Sequence, residues 1–561
     1  MKLKHIILGL TCLASFSSCS DEMNYKEFTN NDKEYVFSTF DRAMSFVTDI
    51  YGRLDYDLGN LYNGGMLAAA CDEAECAQSW AGIHDFNNGA WSAINAKAVM
   101  WANCYYAIRR TNFFLEECQG RTFSEYQYLK DYERLMQRYE LHQYEVRFLR
   151  AYFYFTLVRQ YGAVPFTTEV LTDEEANSLP RTEADRIFDF IVDECEEIAD
   201  RLPVNYDEYI DKQSGRATRG AVLALKARAL LYQASPLFNA SGGKSLWQKA
   251  ALANKEVLDY CSANGVVLGK YSALWGPDNW TNKEMLFMNR LADLNFLEVW
   301  NFPAGIEGGG GLASCPTQTL VDAYEMQATG KRWNEEGSGY NEKQPYSGRD
   351  PRFAMTIAKN GDEGWPTYNT LPLQTYIGGA HGLPLSGATP TSYYLKKYLD
   401  ASVDLRPASA NSKRHSWIVF RLGEFYLNYA EAVFNWLGSA DATDATFTMS
   451  AREAVNKVRQ RTDVQMPELP VGLTNAEFKE KYENERMVEL AFESHRFWDV
   501  RRWKEGDKLK SVDVMEIHKN GDSYTYTRKT MQRVWNDKMY LFPIPDYEMR
   551  INPNLTQNPG W

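Results

Sequence analysis

The stretch TEADRIFDFIVDECEEIADRLP, residues 182–203, decides the fold class. Ile187, Phe190, Ile191, Ile198 and Leu202 fall on one stripe at helical spacing, while acidic and basic residues occupy the remaining circumference. Thr182 stands where an N-cap is expected, Asp185 follows three residues on, and Pro203 lies just past the end. An amphipathic helix is predicted between them.

The same period extends outward in both directions. Upstream, Tyr132–Tyr161 carries Leu135, Tyr139, Phe148, Tyr152, Phe155 and Val158, and stops at Gly162 ahead of Pro165. Downstream, Ala217–Ala234 is rich in Ala and Leu and is stopped by Pro236, and a further helix is expected around 246–263. Small Ala151, Ala224 and Ala227 alternate with large rings, a pattern similar to tetratricopeptide-type helical hairpins, in which small side chains let antiparallel helices approach closely. Between 265 and 412 the period dissolves into glycines (Gly308 to Gly311, Gly378, Gly379), prolines and aromatics, which predicts loops and short strands. So much irregular chain inside a domain points to binding loops. Helices are expected again over Ser416–Trp436 and Ala451–Arg461, then from a Thr474/Glu477 capping box through Phe478, Tyr482, Met487, Leu490 and Phe497, before an extended, proline-bearing tail. The predicted fold is mostly α: a tetratricopeptide-like scaffold in two parts, 19–264 and 413–561, interrupted by a loop-rich insertion, 265–412.

Composition narrows the function. The 561 residues carry 61 Lys+Arg against 74 Asp+Glu, a net charge of −13 that lacks the cationic footprint of a nucleic-acid binder. Aromatic residues make up 14% of the chain, more rings than packing alone requires, so some are expected at a binding surface. The opening MKLKHIILGLTCLASFSSC reads as an export signal: Lys2 and Lys4, an apolar run from Ile6 to Phe16, small Ser17 and Ser18, then Cys19. That run is too short to span a bilayer, which needs about 20 residues. A cysteine after small residues resembles the lipobox of bacterial lipoproteins, which makes 1–18 the signal peptide and Cys19 the acylated first residue. Ser20, Asp21 and Glu22 resemble a surface-export tag of certain Gram-negative bacteria. Attachment by lipid alone is expected. Beyond Cys12 and Cys19, seven cysteines show no CxxC spacing, and the seven histidines show no ligand spacing, so neither a disulfide framework nor a metal or cofactor is expected.

Two groups of residues invite a chemical reading. Glu485, Glu489 and Glu493 lie one turn apart on the predicted helix and would repel each other without cations, and Arg486, Arg496, Arg501 and Arg502 are near in sequence. An ion-pair lattice is expected there, and likewise a clamped turn at Arg349, Asp350 and Arg352. A glycosidase would need two opposed carboxyls with one able to donate a proton, and acids surrounded by arginines stay ionised. HExxH and GxSxG are both missing. The second group is aromatic. Sugars present flat CH faces edged with hydroxyls, so a sugar site needs ring platforms beside amides and carboxylates. The loop-like stretch CDEAECAQSWAGIHDFNNGAWS, 71–92, offers Trp80 and Trp91 with Asp72, Glu73, Asn87 and Asn88. Trp275, Trp280, Trp300, Asn301 and Phe302 form a second cluster, followed by Trp333, Tyr340, Tyr346 and Trp365. Trp80, Trp91, Trp300, Asp72, Asn88, Asn301, Trp275 and Trp333 are the candidate ligand residues.

Several blocks together resemble the SusD/RagB family: YEVRFLRAYFYFTLVRQYGAVP at 144–165, SGRATRGAVLALKARALLY at 214–232, PTQTLVDAYEM at 316–326, GRDPRF at 348–353, ERMVELAFESHRFWDVRRW at 485–503 and LFPIPDYEMRINPNLTQNPGW at 541–561. The resemblance implies a non-catalytic outer-membrane lipoprotein facing outward, which captures an oligosaccharide for a SusC-like TonB-dependent transporter, with 71–92 at the position of a binding loop. Peptide capture, as in some family members, is the alternative, and a glycan-degrading enzyme the second alternative.

Overall fold

In the computed structural model, residues 33–62, 65–118 and 120–561 are described; the leader 1–18 and Cys19 lie outside them. The scaffold helices are α1 (Phe40–Tyr51), α2 (Val99–Glu117), α3 (Tyr132–Tyr161), α4 (Ala184–Ile198), α5 (Arg219–Ala234), α6 (Lys244–Ala263), α7 (Leu422–Leu437), α8 (Ala451–Arg459), α9 (Asn475–Glu489) and α10 (His495–Arg502). Successive helices from α2 to α6 pack on one another, and α7 packs on α6 although the two lie some 160 residues apart in the chain. The helical stack therefore continues straight across the interruption. The predicted mostly helical, tetratricopeptide-like architecture is the one observed.

Local rules account for the helix ends. α3 stops at Gly162, where φ is +70° and the amide returns to the Val158 carbonyl. Thr218 caps α5, and Ser450 and Thr474 form capping boxes with Glu453 and Glu477. The stripe of α4 is buried, with Ile187, Ile191, Ile198 and Leu202 all inside, but its cap residue is Glu183. Thr182 is instead paired in a two-residue strand with Val164.

Two predicted helices need correction. Residues 416–421 are the end of a strand rather than a helix start: β2 (Met285–Leu294) pairs antiparallel with β4 (Lys413–Arg421), while β1 (Ala74–Cys76) pairs with β3 (Ser314–Pro316). The β2/β4 ribbon brings together the two ends of residues 295–412. The long C-terminal helix is also two, because the chain breaks at 490–494 with Phe492 and Ser494 at positive φ. Tertiary bonds hold that break: Ser494 Oγ donates to Asp57 at 2.6 Å, and the Phe492 amide to Glu73 at 3.4 Å. The tail begins with a hairpin that periodicity did not reveal, β5 (Ser511–Asn520) against β6 (Ser523–Gln532).

The acidic stripe is an ion-pair lattice, with different cations from the arginines near in sequence. Glu489 accepts from Arg421 and Arg461 at 2.8 Å and from Arg352 at 3.0 Å. Glu485 binds Arg352 at 2.6 Å and Arg459 at 2.8 Å, Glu493 binds Arg421 and Lys397 at 2.7 Å, and Glu284, just before β2, binds Arg461 at 2.6 Å. The neighbouring arginines serve elsewhere: Arg486 on Asp499, Arg496 on Asp72, Arg502 on Glu431, and Arg501 over the Phe497 ring at 3.5 Å. Burial alone would raise the Glu489 carboxyl, but Arg461, Arg421 and Arg352 outweigh it and bring it down to about 2. Glu485 and Glu493 are lowered by the same contest. A carboxyl held ionised in this way has no proton to give. Asp350 does clamp a turn, capping the helix Pro351–Thr356 and binding Arg352 at 2.7 Å.

Candidate functional site

The segment 71–84 is fixed in place from several directions. Arg496 holds Asp72 through two bonds of 2.7 and 2.8 Å; Arg533 donates to the Cys71 and Ala74 carbonyls at 2.5 and 2.7 Å and to Glu75 at 2.5 Å. His84 lies 3.1 Å from Glu75 and 3.0 Å from the Gln78 carbonyl, and its hydrogen bonds to Cys76 and Glu75 raise its imidazolium pKa to about 10. Inside this frame the Cys71 and Cys76 side chains are buried. Burial and the charge of Asp72 push Glu73 up to about 8.

On the turn that follows β1, Trp80 is 67% exposed. An indole held open on so constrained a turn is a rigid apolar plate facing water. Two insertion loops converge beside it at Gln78, whose Nε2 donates to the Gly310 carbonyl at 3.3 Å. A Cβ on Gly387, where φ is +76°, would meet that Nε2 at 2.6 Å, and one on Gly310 would meet Ala304 Cα at 2.8 Å. The glycine run is thus a close-packed crossing rather than the flexible loop its composition predicts. Leu383 and Leu385, near Gly387 in sequence, are about two-fifths exposed.

Trp300 and Asn301 brace this arrangement from behind. The Trp300 carbonyl accepts from the Leu312 and Ala313 amides at 2.9 and 2.6 Å, its ring meets Phe296 edge-on at 4.8 Å, and Asn301 accepts from the Ser314 amide at 2.8 Å. Both therefore position β3, and through it β1 and the Trp80 turn. Asn301 is buried, so it takes no ligand bond.

A second aromatic station is a cavity of about 420 Å³ lined by Trp333 with Asp72, Asp322, Arg332, Glu480, Lys508 and others. The Arg528 guanidinium covers one face of the Trp333 ring at 3.6 Å and also binds Asp322 at 2.9 Å; Tyr340 meets the ring edge-on at 5.6 Å. Burial raises Asp322, against the lowering pull of Arg528. Asp72 is buried at this cavity; burial would raise its carboxyl, but Arg496 outweighs that and lowers it.

The remaining candidates fall elsewhere. Trp91 is 1% exposed, packed between Phe86, Phe542 and Trp561, with its Nε1 donating to the Ala96 carbonyl. It is core, because the loop folds back onto the C-terminal tail. Trp275 is half-buried, edge-on to Tyr271 at 4.7 Å with the Lys397 ammonium 4.9 Å from its centroid, so it borders the ion lattice. Asn88 is exposed and accepts from the Ala90 amide. Sequence reasoning missed Gln78, Arg332, Asp322 and Arg528. For Arg528 a signal existed: Gly521-Asp522 is a two-residue hairpin turn, and Tyr524, Tyr526 and Arg528 alternate onto one face.

Among the described residues no group of acidic, His and Cys side chains has the geometry of a metal site, and no helix is long and apolar enough to cross a membrane. The family model described as "SusD family" matches residues 276–561, and one described as "Starch-binding associating with outer membrane" matches 30–231. A SusD-like protein of Formosa agariphila, P25, is 25% identical, aligned over 100% of this chain and 98% of its own length. A SusD-like protein of Bacteroides fragilis NCTC 9343 superposes with a TM-score of 0.74 at 28% identity, covering 94% of this chain and 98% of its own. A SusD-like carbohydrate binding protein from the same strain shares the fold, with a TM-score of 0.72 at 24% identity over 92% of this chain and 99% of its own. With over half its length matched by the family model and the same helical scaffold, this chain belongs to the SusD/RagB family.

Proposed function

We propose that this protein is a cell-surface lipoprotein, anchored through Cys19 at the outer membrane, which captures an oligosaccharide and passes it unchanged to a SusC-like TonB-dependent transporter. The observation that carries the reading is the Trp80 plate: a 67% exposed indole on a turn stapled by Arg496, Arg533 and His84. Keeping such a ring in water is unfavourable unless something covers it. A sugar ring does so with its CH face, and Gln78 beside it offers an amide. Trp333, with the charged and amide groups of its cavity, would hold a second part of the chain. The family description, starch binding with outer-membrane association, supports the same ligand class and location.

Isothermal titration against a glycan panel tests this. Trp80→Ala should weaken the best glycan at least tenfold, about 1.4 kcal/mol, with the melting temperature unchanged; equal affinity for both proteins would refute the site. Peptide capture is favoured by one feature, the mixed charge of the Trp333 cavity, where Arg332 and Lys508 face Asp322 and Glu480. Titration with peptides in the same panel decides between them. Release of reducing ends from any glycan would establish an enzyme instead.

A further inference from the structure

A cavity of about 390 Å³ lies between α2, the segment 165–179 and the C-terminal helix Asp546–Ile551. None of the residues lining it belongs to the Trp80 turn or to the Trp333 cavity. Hydrogen bonds between the three elements fix its walls. The Tyr105 hydroxyl donates to the Pro165 carbonyl at 2.8 Å, Asn112 Nδ2 to the Glu169 carbonyl at 2.9 Å, and Asn552 Nδ2 to the Leu179 carbonyl at 2.8 Å. The volume is that of a small-ligand site, and much of the lining is apolar or aromatic: Trp101, Tyr105, Ile108, Leu171, Leu179 and Leu555.

One carboxyl in that lining has no cation. Glu548 is half-buried, and among the described residues it forms no ion pair; burial raises its pKa, against the lowering pull of hydrogen bonds from Trp101 and Tyr547. Other half-buried acids of the molecule are paired: Asp55 with Arg159 at 3.0 Å, Asp322 with Arg528 at 2.9 Å and Asp362 with Lys396 at 2.7 Å. The arginines nearby are engaged elsewhere. Arg550 pairs with Asp546 at 2.8 Å, Arg109 donates to the Leu171 carbonyl at 2.6 Å, and Arg53, 4.4 Å from the centre of the Tyr106 ring, pairs with Asp49 at 3.5 Å. Glu169 and Asp173 also line the cavity, so its acids outnumber its one arginine.

We propose that this cavity binds an organic ammonium ion with an apolar body, the ammonium against the Glu548 carboxylate and the body among the α2 rings and the leucines. The chemistry discriminates among occupants. A neutral group laid over a half-buried carboxylate takes away its water and returns at most a hydrogen bond, whereas an ammonium brings the opposite charge as well. Indole and phenol rings beside the carboxylate add cation–π attraction and exclude water. A metal ion needs several oxygen ligands at once, which one carboxyl among rings does not supply. The inference stands apart from the Trp80 reading, since the two sites share no residue.

Isothermal titration at neutral pH with phenethylamine and with its neutral isostere phenethyl alcohol tests the proposal. The amine should bind at least about tenfold more tightly than the alcohol. Glu548→Gln, which keeps the shape of the side chain, should erase that preference, and Ala176→Trp, at an exposed lining residue, should close the cavity to both probes. Unchanged melting temperatures show that both variants fold. Equal affinity for the two probes, no binding of the amine, or an intact preference in Glu548→Gln overturns the proposal. Loss of amine binding in Trp80→Ala overturns it too, by assigning the amine to the other site, whereas unchanged binding there supports a separate cavity. A phenylalanyl peptide amide in the same titration identifies the source: binding tighter than that of phenethylamine puts the ammonium at a peptide end, weaker binding puts it on a free amine, and either result upholds the cavity.

Discussion

Trp80 and Trp91 lie eleven residues apart in sequence and meet opposite fates, one exposed and one buried, and the buried ion lattice offers a contrast. The lattice uses charge to close the structure: Glu485, Glu489 and Glu493 draw in cations from the insertion, the ribbon and α8, so that each carboxylate is buried and fully bonded. The Trp80 turn uses charge to hold a ring open. Arg533 holds the Cys71 and Ala74 carbonyls and Arg496 the Asp72 carboxylate ahead of the turn, and the indole stands uncovered, while Trp91 is swallowed by Phe542 and Trp561. Rings of the same kind in one stretch of sequence are therefore not interchangeable, and tertiary packing decides which is displayed.

The comparison breaks most visibly at Glu489. Glu489→Gln leaves Arg352, Arg421 and Arg461 around a neutral group, and should cost about 3–5 kcal/mol in urea denaturation. Trp91→Ala should cost a similar ~3–5 kcal/mol; Trp80→Ala should change stability by less than about 0.5 kcal/mol while abolishing most of the glycan affinity. If Trp91→Ala were as mild as Trp80→Ala, the distinction between core and plate would fail.

Acid and base titration separate the two kinds of buried carboxyl. Glu489 has a folded pKa of about 2, below its usual 4.5, so its contribution is complete above pH 4.5 and is lost as pH falls towards 2. Glu73 has the opposite sign. Its folded pKa of about 8 means the native state holds a proton that the unfolded chain has released, so stability declines as pH rises from 4.5 to 8. Glu73→Gln should flatten that decline, by something on the order of 2 kcal/mol at pH 8 relative to pH 5, as read from urea midpoints. A parallel decline in both proteins would count against a protonated Glu73. Gly387→Ala is the finer probe. Its Cβ would press on Gln78 and the Gly310 carbonyl at positive φ, costing about 1 kcal/mol and shifting the Trp80 turn enough to weaken binding several-fold. Asn88→Ala, on the exposed side, should leave both stability and affinity within error.

Helix existence was legible because burial of a stripe is a local, periodic requirement: α3 runs from Tyr132 to Tyr161 as its pattern predicts, and the Thr474 capping box starts α9. Helix ends were less so. Ser416–Arg421 reads as helix by composition, but pairing with β2 across the insertion makes it a strand. The 490–494 break depends on Asp57 and Glu73, more than 400 residues away. In the candidate site, the type of residue was legible and its exposure was not.

The sequence by itself determined the helical scaffold, the family and the need for cations around an acidic stripe, because period, caps and charge spacing act over a few residues. Which cations answer, which indole faces water and which loops cross at Gln78 were decided only by tertiary structure. Those outcomes depend on chain segments hundreds of residues apart competing for the same buried space, and no local pattern encodes who arrives first.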